Sequence, residues 1–190
     1  NNQITAFHPG AMMQAHVTRI DKRADIKLGI ISPDGRDAML QHAEQFRAAD
    51  IAFVFDPGQG LPMFDGAELT RFIDQATWVT VNDYEGKMLC ERTGLSLAEM
   101  SRRVQGLVVT LGGHGCEVWI DGEKTVVGPV PAQAVVDPTG CGDAWRGALL
   151  YGLEQGWSLA RCASLGNQVG SRKIAQRGPQ NYTLEGVHLG

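Results

Sequence analysis

The sequence predicts an α/β protein: a doubly wound, mostly parallel sheet with helices on both faces and an antiparallel hairpin at one edge. Three observations carry that expectation. The runs Ile51-Ala52-Phe53-Val54-Phe55 and Leu107-Val108-Val109-Thr110-Leu111 are apolar almost without interruption, the pattern of strands buried on both faces. Segments of helical spacing stand between such runs, and strands alternating with helices build a layered parallel sheet. Late in the chain, two short strand-like runs flank Asp121-Gly122-Glu123, which reads as a hairpin at the sheet edge.

Taken in order, residues 26–31 form an apolar strand closed by Ser32-Pro33-Asp34-Gly35, and residues 38–49 show helical spacing through Met39, Ala43 and Phe46. The unit then repeats. Residues 51–55 are a strand ending at Asp56-Pro57-Gly58, residues 68–76 a helix, and residues 78–81 the next strand. Helices are expected over 83–92 and 97–104, broken at Thr93-Gly94, before the strand 107–111. The hairpin pairs 116–120 with 124–130, and two closing helices run over 140–154 and 158–175.

The chain has 190 residues, 43% hydrophobic and 20% charged, which is enough for one domain with a sizeable core. A net charge of −4 without a basic run argues against nucleic acid and anionic membranes as partners. Four scattered cysteines with no C-x-x-C pair suggest neither a zinc site nor a disulfide framework, so a reducing cytoplasm is the expected location. The chain opens at Asn1 without methionine, in a stretch (residues 3–13) that reads as the middle of a fold. The expectation is that an N-terminal part precedes it.

The chemistry concentrates in Asp137-Pro138-Thr139-Gly140-Cys141-Gly142-Asp143. Glycines flanking Cys141 let a ligand approach the backbone, and the first turn of the following helix offers unpaired amides at the positive end of its dipole. Thr139 is the expected N-cap. Asp143 would stand at the rim of this anion hole, placed to take a proton from an alcohol while the amides hold charge on a transferring phosphoryl group. The bland alternative is that Asp143 complements the helix dipole and the glycines only make a tight loop. Asp56, Asn82 with Glu85, and Thr110 with Gly112, Gly113 and Gly115 follow strand ends, where ligands bind in open parallel sheets. Each also has a plainer reading: an Asp-Pro-Gly turn, a capping box, a strand turn. Asn82 and Glu85 could instead hold the water shell of a magnesium ion.

Together, Asn82-x-x-Glu85, Thr110-Leu111-Gly112-Gly113-x-Gly115 and the Asp137–Asp143 run resemble the ribokinase-like (PfkB) family of sugar and nucleoside kinases, over about residues 26–182. The resemblance is to the carboxyl-terminal two-thirds of such an enzyme, without most of its lid. It implies transfer of the γ-phosphoryl of MgATP to a hydroxymethyl group. Asp143 would be the base, the amides of Gly140, Cys141 and Gly142 the anion hole, and Asn82 and Glu85 the magnesium and phosphate contacts. Thr110 to Gly115 would form the nucleotide loop, with Asn167 near the nucleotide. Asp137 and Thr139, with the backbone of residues 173–178, match the monovalent cation (K+) site of several members. Pro138, Cys141 and Trp145 depart from the usual Thr, Ala and Phe; Cys141 reads as a small buried filler, with a thiol of lowered pKa as the alternative.

Residues 7–12 and Phe55-Asp56-Pro57-Gly58-Gln59 look more like the bacterial adenosine kinase branch, which would place Gln59 near a purine; a glutamine in a turn is otherwise simply solvated. The leading expectation is an adenosine kinase, with a ribose-type or other sugar as second acceptor class. A nucleotide-binding regulator is a further alternative, which an intact Asp143 disfavours. A Rossmann dehydrogenase fits poorly, because the glycines come late and no acidic residue follows at the expected distance. Members often pair through their lids, so a homodimer is the implied assembly.

Overall fold

The computed structural model describes residues 7–20 and 25–187. Of the expected opening stretch, residues 3–6 lie outside the described residues. The chain forms β1 (Leu28–Ile31), α1 (Arg36–Ala48), β2 (Ala52–Phe55), α2 (Gly66–Gln75), β3 (Trp78–Asn82), α3 (Asp83–Thr93), α4 (Leu97–Ser101) and β4 (Gly106–Thr110). It continues through β5 (Cys116–Ile120), β6 (Glu123–Val127), α5 (Cys141–Glu154) and α6 (Leu159–Lys173).

The six strands lie side by side in chain order. β1 to β4 are parallel, while β5 and β6 run antiparallel as the predicted edge hairpin. Its turn is the two residues Asp121 and Gly122, both at positive φ, so Glu123 already belongs to β6. Alternation along each strand divides the core between the two faces. Phe53, Phe55, Val79, Val81, Leu107 and Val109 point into one cluster with Met39, Phe72, Leu89 and Met100 from α1 to α4. Val54, Val108 and Val118 point the other way, against Trp145, Leu149 and Cys162 of α5 and α6.

Element ends differ from expectation where a specific contact intervenes. α4 stops at Ser101, whose hydroxyl donates to Ala98 O and accepts the Gly122 amide, because Gln105 must already pair with Thr77 to enter β4. β6 stops at Val127: Pro129 has no amide for the ladder, and the carbonyl of Gly128 accepts from Asn167 instead. α2, α3 and α4 each begin with a complete capping box, at Asp65/Glu68, Asn82/Glu85 and Ser96/Glu99. The consequence for function is placement: the carboxyl ends of β2 and β3 face α5.

Candidate active site

The start of α5 is built differently from those of α2, α3, α4 and α6, each of which a side chain caps. Its N-cap is Gly140 in the left-handed region (φ +78°), not Thr139, and no side chain caps it. Thr139 is unavailable because its amide donates to Asp137 Oδ1 at 2.9 Å, which turns the chain one residue too early. A Cβ at position 140 would lie 2.7 Å from Pro179 Cβ, so both backbone angle and space demand glycine there. The Cys141 amide donates to Pro138 O at 3.1 Å, whereas the amides of Gly140, Gly142 and Asp143 have no acceptor among the described residues. The free donor set is therefore Gly140, Gly142 and Asp143 rather than Gly140, Cys141 and Gly142. Asp143 itself is exposed in the first turn. Burial pushes the Cys141 thiol up, which favours the filler role over a reactive thiolate.

Asn82 and Thr110 end β3 and β4 in register with one another. The bland reading of Asn82-x-x-Glu85 is realised: Asn82 Oδ1 accepts from the Glu85 amide at 2.7 Å and Glu85 Oε2 from the Asn82 amide at 2.8 Å. That leaves Glu85 Oε1 and Asn82 Nδ2 without a hydrogen-bond partner among the described residues, so the cap and a role toward a hydrated cation are compatible. Gly112 and Gly113 face open space, while Gly115 (φ +86°) abuts Val127 O and Pro129. The loop after β4 thus has an exposed outer edge and a packed inner one. Asn167 is half-buried and makes structural bonds: its Oδ1 accepts from Trp145 Nε1 at 3.0 Å and its Nδ2 donates to Gly128 O at 2.9 Å. It fastens α6 to α5 and to the end of β6. Gln59 is exposed on the short helical turn Gly58–Met63 beyond Asp56.

Sequence reasoning missed Arg146. From α5 its guanidinium reaches the end of β2, where Nη2 donates to Asp56 Oδ1 at 2.7 Å, and Nη2 also lies 3.9 Å from Glu85 Oε2. Its Nε sits against Asp56 Oδ2 without hydrogen-bonding geometry. Asp56 is 3% exposed, and its pKa is raised to about 6, chiefly by burial, with Arg146 pulling it back down and Glu85 and Asp143 pushing it up. A Cβ on Gly142 would meet Arg146 Nη1 at 2.6 Å, which places this cation directly behind the open amides. The available signal was a lone arginine one turn after Asp143 in an apolar helix.

Lys173 was also missed as a side chain. It is completely buried, and its Nζ donates to Asp137 O at 2.7 Å and Gln176 O at 3.1 Å. The expected monovalent cation at Asp137 and Thr139 does not fit this arrangement, because an ammonium already holds the carbonyls that would face it.

A family model described as pfkB family carbohydrate kinase matches residues 9–185. The chain belongs to the pfkB family. Among the pfkB relatives, a nucleoside kinase of Methanocaldococcus jannaschii is 29% identical over 181 residues, covering 95% of this chain and 59% of its own length. The solved nucleoside kinase of Burkholderia thailandensis in complex with inosine is 52% identical, with a TM-score of 0.92 over 96% of this chain and 61% of its own. An inositol 3-kinase of Zea mays is 40% identical over 84 residues, 44% of this chain. The chain thus spans about three-fifths of the length of these two nucleoside kinases. Within the described residues no helix is long and apolar enough to cross a membrane.

Proposed function

We propose that the protein is an ATP-dependent nucleoside kinase, transferring the γ-phosphoryl group to the hydroxymethyl of a purine nucleoside, adenosine first. One observation carries the reading: an exposed carboxylate, Asp143, stands in the first turn of α5 among amides that have no acceptor among the described residues. A pure binder has no use for a base at that position. Asp143 takes the proton of the attacking hydroxyl as the new O–P bond forms and the bond from the γ-phosphorus to the bridging oxygen of ADP breaks. The amides of Gly140, Gly142 and Asp143 hold the charge on the transferring group, with Arg146 behind them. MgATP, when bound, supplies the phosphoryl group and the divalent charge that neutralises it. The open edge at Gly112 and Gly113 and the free Oε1 of Glu85 suit it.

The nucleoside acceptor rests on the relatives, of which one at 52% identity was solved with inosine. The exposed Gln59 beyond Asp56 is our candidate purine contact. ADP release by the full-length polypeptide from MgATP, with adenosine, inosine, ribose and fructose 6-phosphate offered in parallel, tests the reading. Release with adenosine or inosine supports it; release with sugars alone leaves the chemistry but removes the nucleoside, and no release with any acceptor removes the kinase.

A further inference from the structure

The loop that leads into α5 is held from behind by a charge that the reaction itself does not consume. Asp137 O and Gln176 O converge on Lys173 Nζ, at 2.7 and 3.1 Å. The Asp137 carboxylate completes the surround: Oδ1 accepts from the Thr139 amide and Oδ2 from the Gly178 amide at 2.8 Å. Those two backbone bonds, before the nearby Lys173 charge, hold its pKa down at about 2. The carbonyl of Ile174 accepts from both Val136 and Asp137 amides, so the end of α6 and the loop before Gly140 are tied together on each side of the ammonium. Pro179, just past this segment, packs on Gly140.

Convergent backbone carbonyls beside a carboxylate are the ligand set of an alkali cation. A lysine ammonium is a compact point charge with donors rather than a coordination sphere, and it satisfies the same oxygens by hydrogen bonds. Lys173 has no side-chain carboxylate partner within ion-pair distance among the described residues; its partners are carbonyls. A second cation at these oxygens would sit against the like charge of a lysine whose own side chain is fully buried.

We propose that the Lys173 ammonium is a built-in replacement for the monovalent cation, so that this protein organises its anion hole independently of K+. Lys173 is thus a positioning residue: it acts on the loop 137–140 and touches no reacting atom. The catalytic half of the inference rests on the kinase reading above, and the structural half does not.

The test measures initial rate and melting temperature of the full-length polypeptide in KCl and in choline chloride at equal ionic strength. The parent is expected to give the same rate, within twofold, and the same melting temperature in both salts. Lys173→Ala opens room for an ion, and it is expected to lose at least tenfold in kcat in choline and to recover in KCl. A parent activated fivefold or more by K+, or melting higher in KCl, overturns the proposal. So does a folded Lys173→Ala protein that matches the parent's kcat in choline. If the variant does not fold, the parent's two curves decide alone. Absence of turnover with every acceptor would sink the kinase reading while the melting curves still judge Lys173.

Discussion

Arg146→Met isolates the buried pair at the mouth of α5, because methionine keeps much of the length and removes the charge. Asp56 is 3% exposed and would be left without its main partner. If it stayed ionised, losing one member of a buried pair would cost ~3–5 kcal/mol. It has an escape: its pKa is already about 6 in the folded protein, against an ordinary 3.8, and Arg146 is the largest influence lowering it. A raised carboxyl pKa favours folding fully below the unfolded value, and that contribution is lost as pH rises through the folded one. In the parent the loss is complete just above pH 6. Without Arg146 the folded pKa moves higher, so the loss continues past pH 6, by about 1.4 kcal/mol for each pH unit of upward shift. Below pH 6 the difference between parent and variant should be the pH-independent loss of Arg146's packing, its hydrogen bond to Asp56 and its contact with Glu85. Urea unfolding of the full-length polypeptide at pH 5.5 and pH 8 reads this directly, with the stability gap wider at pH 8. Asp56→Asn/Arg146→Met should lose the pH-dependent part. A gap of equal size at both pH values, or a double variant as pH-sensitive as the single one, refutes the reasoning.

Asp143→Asn should lower kcat by about 10²–10⁴-fold while ATP affinity stays near the parent's, measured by steady-state kinetics beside calorimetry; near-normal turnover removes the base. Gly142→Leu would drive its Cβ into Arg146 Nη1, the movable end of that side chain, so the fold should survive while kcat/KM for ATP falls about tenfold, roughly 1.4 kcal/mol. Unchanged kinetics there would count against the anion hole. Gly140→Ala forces a side chain into φ +78° and against Pro179, and should cost at least the roughly 1–2 kcal/mol of the left-handed region, read as a lowered melting temperature.

The architecture was legible because the strands are written as apolar runs and the helices as spaced ones, signals that local sequence carries in full. β2 and β4 were found within a residue of their ends, and the edge hairpin by its Asp-Gly turn. The open amides before Asp143 followed from two glycines at a helix start. Their composition did not, since whether Thr139 caps or Cys141 is free to donate outward depends on the turn bonds their amides give to Asp137 Oδ1 and Pro138 O. The two buried cations were invisible for a different reason. Arg146 meets a carboxylate 90 positions earlier in the chain, and Lys173 meets a carbonyl 36 positions earlier. Nothing near either residue announces its partner. Asn167 shows the converse: its position resembled a ligand contact, and the structure adds a structural role in its bonds to Trp145 and Gly128.

The junction of Asp56, Glu85 and Arg146 also constrains how such a chain can drift. Three segments meet there, and each contributes one charge to a space that admits little water. Neutralising one member alone strands the others, so the three positions behave as a single inherited unit. In lineages of this protein they should be replaced together or not at all. A chain that has exchanged the arginine for an apolar residue is expected to carry an uncharged residue after the second strand as well.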